Sequence, residues 1–142
     1  NEERSRTEVF TASNRAEARA IAAQSLVLLN NQGGLLPLKK TGTIAVVGPL
    51  ADNRVNMTGT WSVAARFAES VSLMDGLKAA TGDKAKLLYA LGSNLYLDPV
   101  FQQSATPFGK TIPRDERPAE VLIEEAAAAA RQSDVVIDGL AT

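Results

Sequence analysis

Neither cysteine nor histidine occurs in the 142 residues. Without cysteine there is no disulfide framework, no thiolate nucleophile and no cysteine-ligated zinc. Without histidine the commonest general base and the commonest metal ligand are gone, and no serine can be activated through a Ser-His-Asp relay within this chain. Carboxylates, lysines, tyrosines and hydroxyls are left to carry any chemistry. Zero cysteine leaves the compartment open, because an extracytoplasmic protein need not use disulfides. A surplus of either charge is missing as well: 15 basic and 16 acidic side chains give a formal net charge of -1, which makes no field for nucleic acid or anionic lipid. The basic residues are dispersed, with Lys39-Lys40 the only adjacent pair. Long apolar runs are lacking too. Residues 25–29 and 43–50 are far too short to span a bilayer, and the opening Asn1-Glu2-Glu3-Arg4 has no signal-peptide core. Neither a nucleic-acid nor a membrane partner is expected.

What is present suits one α/β domain: 45% apolar and 22% charged residues are ordinary for a chain that buries a core. Residues 1–12 are polar and aperiodic and read as a linker or arm. Asn14 followed by Glu17 resembles a capping box, and Ala18, Ile21, Ser25 and Leu28 recur at helical spacing, predicting a helix from residue 14 to about residue 31, ended by Gly33-Gly34. Pro37 then requires an extended segment over residues 35–38. Thr43-Ile44-Ala45-Val46-Val47-Gly48 is an almost unbroken, β-branched run, expected as a central parallel strand covered on both faces. A long loop from about Pro49 to Ser70 leads to a short amphipathic helix marked by Leu73, Leu77 and Ala80 and ended by Gly82. Lys86-Leu87-Leu88-Tyr89-Ala90 reads as a second strand. Residues 91–117, with Pro99, Pro107, Gly109 and Pro113, form a second surface excursion. Pro118 opens a helix running to about Gln132, and Asp134-Val135-Val136-Ile137 is a third strand. Strands separated by long connections that each hold one helix make right-handed crossovers. The expected fold class is therefore α/β: a partial three-layer α/β/α sandwich with a short, mostly parallel sheet of about three strands. The sequence stops at Asp138-Gly139-Leu140-Ala141-Thr142, just past that third strand, so an unprotected edge is expected, and with it a partner, a continuation or instability.

Parallel strands gather ligands at their carboxyl ends, but Gly48-Pro49-Leu50-Ala51-Asp52 is neither a dinucleotide fingerprint nor a P-loop. The adjacent acids Asp115-Glu116 and Glu124-Glu125 lack ligand spacing and read as solvated faces and helix-start charges. No metal and no cofactor are expected. The residue that stands out is Trp61, the only tryptophan, in Met57-Thr58-Gly59-Thr60-Trp61-Ser62. Composition alone favours a core place for it. Its position in a loop beyond the end of a central strand, beside Gly59, favours a ring that stacks on a sugar face.

Several segments together resemble glycoside hydrolase family 3, its periplasmic β-glucosidases in particular: Asn14-Arg15-Ala16-Glu17-Ala18-Arg19, then Ser25-Leu26-Val27-Leu28-Leu29-Asn30-Asn31, Leu36-Pro37-Leu38, Ile44-Ala45-Val46-Val47-Gly48-Pro49-Leu50-Ala51-Asp52 and Gly59-Thr60-Trp61. Weaker similarity continues through residues 86–90 and 118–137. The resemblance implies a location inside a larger enzyme that pairs a TIM-like barrel with an α/β sandwich and hydrolyses β-linked glucosides with retention. Residues 1–12 would be the interdomain linker and residues 13–142 the N-terminal half of the sandwich. The nucleophilic aspartate would belong to the barrel and the acid/base glutamate to a later part of the sandwich, so no catalytic residue is assigned here. Trp61 is the one substrate-binding residue carried over, lining the entrance subsite. Asp52 matches the family's turn and is expected to fix the loop by accepting backbone hydrogen bonds. Asn14 and Asn30 stand where similar sequences often have His and Lys, and Asp138-Gly139 interrupts what is usually a longer apolar strand.

On this reading the partners are a β-linked glucoside or oligosaccharide, the catalytic barrel and the remaining half-domain, and the location is periplasmic or secreted. The chain alone would be inactive, because retaining hydrolysis needs two carboxyl groups about 5 Å apart across the scissile bond. The alternative is a stand-alone, non-catalytic binding or assembly module that pairs through its open sheet edge, as a homo-oligomer or with another chain.

Overall fold

The β-branched run Thr43-Ile44-Ala45-Val46-Val47 forms the middle strand. In the computed structural model, which describes residues 2–59, 61–62, 65–104 and 113–139, β1 (Gly42–Val47) lies between β2 (Ala85–Ala90) and β3 (Val135–Asp138), in the order β2-β1-β3. Both pairings are parallel, with Ile44 opposite Leu87 and Val135, and Val46 opposite Tyr89 and Ile137. Ile44, Ala45 and Val46 are all buried. A half-wet strand would alternate polar and apolar residues, so burial of three in succession explains why polar side chains are missing from this run.

The chain divides into two compact units, residues 1–38 and 39–142. In the first, α1 (Glu2–Arg4) leads into a π-type turn (Ser5–Val9) and then α2 (Ala12–Gln24). The expected cap at Asn14 is displaced by one turn. Thr11 is the N-cap, extended, with its hydroxyl accepting from the Asn14 N–H at 3.1 Å, while the Asn14 amide donates to the carbonyls of Glu8 and Val9. The helix also stops short of residue 31. Ser25 is its C-cap, with its N–H donating to the Ile21 and Ala22 carbonyls and its hydroxyl to Ala22. A hydroxyl that competes for the helix's own carbonyls favours an end there. The following Leu26, Val27, Leu28 and Leu29 are exposed and non-helical. A four-residue apolar run offers no polar face to a helix, and β-branched Val27 adds nothing to its propensity. Asn31 closes the next turn by accepting from the Leu36 N–H and donating to the Leu36 carbonyl, and the Leu36-Pro37 peptide is cis.

In the second unit, helices cover both faces of the sheet. On one face Ile44, Val46, Ala51 and Met74 form a core with Leu77, Ala85, Leu87 and Ile137; Met74 and Leu77 come from α3 (Leu73–Thr81). On the other, Ala45, Ala90 and Ala129 pack with Val47, Leu88 and Ala126, the last alanines supplied by α5 (Ala119–Arg131). This is a three-layer arrangement on a parallel three-stranded sheet. Pro118 is the N-cap of α5 rather than its first helical residue. Among its described residues, the excursion over 91–117 contains a helix that periodicity did not reveal, α4 (Pro99–Ser104), started by Asp98 Oδ1 accepting from the N–H groups of Val100 and Phe101. The Pro107 and Gly109 of that excursion, like residues 60 and 140–142, lie outside the described residues.

Candidate functional site

The carboxyl end of the sheet is shaped by a close crossing. Gly48 follows β1 with φ +122, and a Cβ there would stand 2.5 Å from the Gly139 carbonyl oxygen. The crossing is fixed by the Gly48 N–H donating to Ala90 at 3.1 Å and the Gly139 N–H donating to Val47 at 2.7 Å. Only glycine allows backbone to approach backbone so closely at this φ. The Tyr89 hydroxyl makes a long hydrogen bond, 3.4 Å, to the Gly48 carbonyl. Burial raises the pKa of that hydroxyl, and the charge of Asp52 adds to the effect.

From here the chain enters the long loop, and each candidate residue can be placed on it. Asp52 does fix the loop, but through a partner other than the expected backbone: its Oδ1 accepts from the Ser72 hydroxyl at 2.8 Å. Ser72 is the buried N-cap of α3, and it forms a reciprocal box with Asp75, the Asp75 N–H donating to the Ser72 hydroxyl and the Ser72 N–H to the Asp75 carboxylate, both at 3.1 Å. The same Asp75 Oδ2 accepts from Arg54 Nε at 2.9 Å. That guanidinium, followed by the capping N–H of Ser72, holds the Asp75 carboxyl down to about 2. Sequence spacing contains half of this network, since Ser72-Leu73-Met74-Asp75 is a serine three residues ahead of an acid at a helix start. The partnership with Arg54, 21 positions away, has no local signal.

Trp61 stands in a turn after a 3-10 segment (Val55–Thr58) and Gly59, and it is 87% exposed. The core place that composition favours is therefore not where the indole lies. A ring of this size left in solvent, in a loop leaving the carboxyl end of a central strand, offers a flat apolar face to a ligand. Its turn is tightened by Ser62 Oγ, 2.7 Å from both Thr58 Oγ1 and the Gly59 carbonyl.

Beside the end of β2 a cleft of about 560 Å³ is lined by Tyr89, Ala90, Leu91, residues 113–117 and Glu125. Its charges serve mostly to hold the excursion in place. The Arg114 guanidinium donates to the carbonyls of Tyr96 and Leu97 and to Gln102 Oε1, Asn94 and Asp115 exchange two hydrogen bonds, and Arg117 pairs with both Asp115 and Glu125. Arg117 keeps the Asp115 carboxyl at about 2. Glu124 pairs with Arg131. Three of these adjacent acids, Asp115, Glu124 and Glu125, thus work as ion-pair partners. Among the described residues, no group of three or more His, Cys, Asp or Glu is placed to hold a metal ion, and no helix is long and apolar enough to cross a membrane.

Residues 26–141 match the family model for the glycosyl hydrolase family 3 C-terminal domain. The chain belongs to this family. Over 123 residues it is 45% identical to a periplasmic beta-glucosidase of Salmonella typhimurium, an alignment covering 87% of this chain and 16% of the relative. It is 33% identical over 120 residues to thermostable beta-glucosidase B of Acetivibrio thermocellus, covering 84% and 13%. Among solved structures, a beta-glucosidase involved in saponin metabolism from intestinal bacteria superposes with a TM-score of 0.67 at 29% identity, covering 97% of this chain and 20% of that one. This family 3 chain therefore spans about a sixth or less of the length of these curated relatives. The likeness accounts for the sheet and its helices. The alternative of a stand-alone assembly module is not favoured by it.

Proposed function

We propose that this chain is part of a retaining, β-glucosidase-like glycoside hydrolase, in which it supplies scaffold and one wall of the sugar pocket. Residues 1–12 serve as the interdomain arm and residues 13–142 as the first half of the α/β sandwich. The observation that carries the reading is Trp61, an indole held outside the core in a chain of a family whose similar members are named beta-glucosidases and xylosidases. Its face stacks on the sugar at the pocket entrance. The nucleophile and the acid/base come from other parts of the enzyme, a barrel and the remaining sandwich, and the substrate is a β-linked glucoside or oligosaccharide. The location is periplasmic, as in the name of the Salmonella relative.

Chemistry supports the division of labour. Retention requires a nucleophile and an acid/base facing each other at about 5 Å, and losing either removes most of the rate. The carboxylates of Asp75, Asp115, Glu124 and Glu125 are each committed to an arginine. Purified chain incubated with an aryl β-glucoside is expected to release no aglycone. Robust turnover, abolished by substituting a carboxylate within the chain, overturns the reading.

A further inference from the structure

The loop that carries Trp61 is tied across its neck. Its entering limb, Ala51 to Arg54, is joined to its leaving limb, Ala68 to Asp75, by the Met74 N–H donating to the Ala51 carbonyl at 3.0 Å, by Ser72 on Asp52 at 2.8 Å, and by one side chain that makes two of the ties. Arg54 donates through Nε to Asp75 at 2.9 Å and through Nη1 to the Ala68 carbonyl at 3.3 Å. Above the neck, the 3-10 segments Val55–Thr58 and Phe67–Glu69 lie against each other, and Asn53 Oδ1 accepts from the Asn56 N–H at 3.0 Å to start the first of them.

We propose that Arg54 is a positioning residue for substrate: its guanidinium bridges the first turn of α3 and the returning limb of the loop, holding the neck closed so that Trp61 meets the sugar already in place. The proposal rests on the reading of Trp61 as the sugar-stacking wall. One rigid group reaches both the helix and the returning limb from the entering one. A guanidinium presents several donors in a fixed plane and can satisfy a carboxylate and a carbonyl together, whereas an ammonium on a flexible stem offers a point charge. Asp75 is a firm anchor because it also closes the capping box of α3, so the loop inherits the order of a helix packed on the sheet through Met74 and Leu77. Arg54 itself is half exposed. Its removal should therefore loosen the loop without emptying the core, as surface ion pairs contribute little to global stability.

The test uses the single indole as its reporter. Time-resolved anisotropy of Trp61 is compared in the parent chain, Arg54→Ala and Arg54→Lys, with far-UV circular dichroism as the control for folding, and each is titrated with cellobiose by indole emission. Expected is a larger fast depolarisation in Arg54→Ala, Arg54→Lys between it and the parent, and an apparent cellobiose dissociation constant raised about three- to tenfold in Arg54→Ala, the size of the ordering cost moved into binding. Should Arg54→Ala lose its circular dichroism, Arg54→Gln, which keeps the stem and one amide donor, takes its place in the same comparison. Identical anisotropy decays in the parent and the folded variant overturn the proposal. If the decays differ but cellobiose leaves the parent's emission unchanged, the sugar-stacking reading of Trp61 fails instead, and the neck tie stands without a substrate to serve.

Discussion

Gly48→Ala is the substitution with the sharpest structural expectation. Two costs fall on it. An L-residue at φ +122 is strained, typically by about 1–3 kcal/mol. The new methyl would also lie 2.5 Å from the Gly139 oxygen and 2.9 Å from its carbonyl carbon, both backbone atoms, so relief requires β3 to draw away from β1. That movement breaks or stretches the Gly139 N–H bond to Val47, now 2.7 Å, at about 0.5–1.5 kcal/mol. Together the loss is about 1.5–4.5 kcal/mol, a large share of the roughly 5–15 kcal/mol that holds an average domain. Gly82→Ala isolates the first contribution, because Gly82 has φ +54 and ψ -136 and a Cβ there would meet nothing within 4 Å; it should lose only that backbone strain, about 1–3 kcal/mol. Urea denaturation followed by circular dichroism measures both, and amide hydrogen exchange at Gly139 reports the local opening. A Gly48→Ala chain within about 0.5 kcal/mol of the parent, or one no worse than Gly82→Ala, refutes the reasoning.

Two further outcomes can be checked in the same assay. Leu122, 1% exposed on α5, is expected to lose about 2–5 kcal/mol on truncation to alanine, from lost transfer energy and the cavity left behind; a change under about 1 kcal/mol would mean that α5 collapses onto the sheet without it. Acid should unfold the chain through its carboxylates. Asp75 and Asp115 both have folded values of about 2, below the roughly 3.9 of an unfolded aspartate, so the unfolded chain takes up protons first and stability falls as pH drops from about 4 to about 2. Urea midpoints measured across that window should decline, less steeply in Asp75→Asn; a flat profile excludes both carboxylates as contributors.

The sheet was legible from the sequence because its signal is local. Residues 43–48 could be read as a buried parallel strand from their lack of polar alternation, and Ile44, Ala45 and Val46 are buried as that pattern requires. The bounds of α2 were not, since Ser25 fits the helical spacing of apolar residues equally well as a continuation or as the C-cap it is. A capping hydroxyl is recognised by which carbonyl it reaches, and spacing does not specify that. Trp61 illustrates a different limit. Its type argued for the core and its position for the surface; the structure sides with position. Asp52 could be assigned to the loop's turn, yet its partner Ser72 lies 20 positions away, and the tie from Arg54 to Asp75 is equally non-local. The recognisable motif words mark where such residues sit, while the contacts that make them useful are settled by how the loop returns.

The two sides of the sheet are unlike in grain. One is filled by Ile44, Val46, Met74 and Leu77, the other largely by Ala45, Ala90, Ala126 and Ala129. Alanines on both partners let α5 ride close to the strands and leave no slack for a bulkier neighbour, whereas methionine on the α3 side can refill an altered space. A larger side chain at Ala126 or Ala129 would therefore push α5 off the strands, while the α3 layer can exchange one aliphatic shape for another.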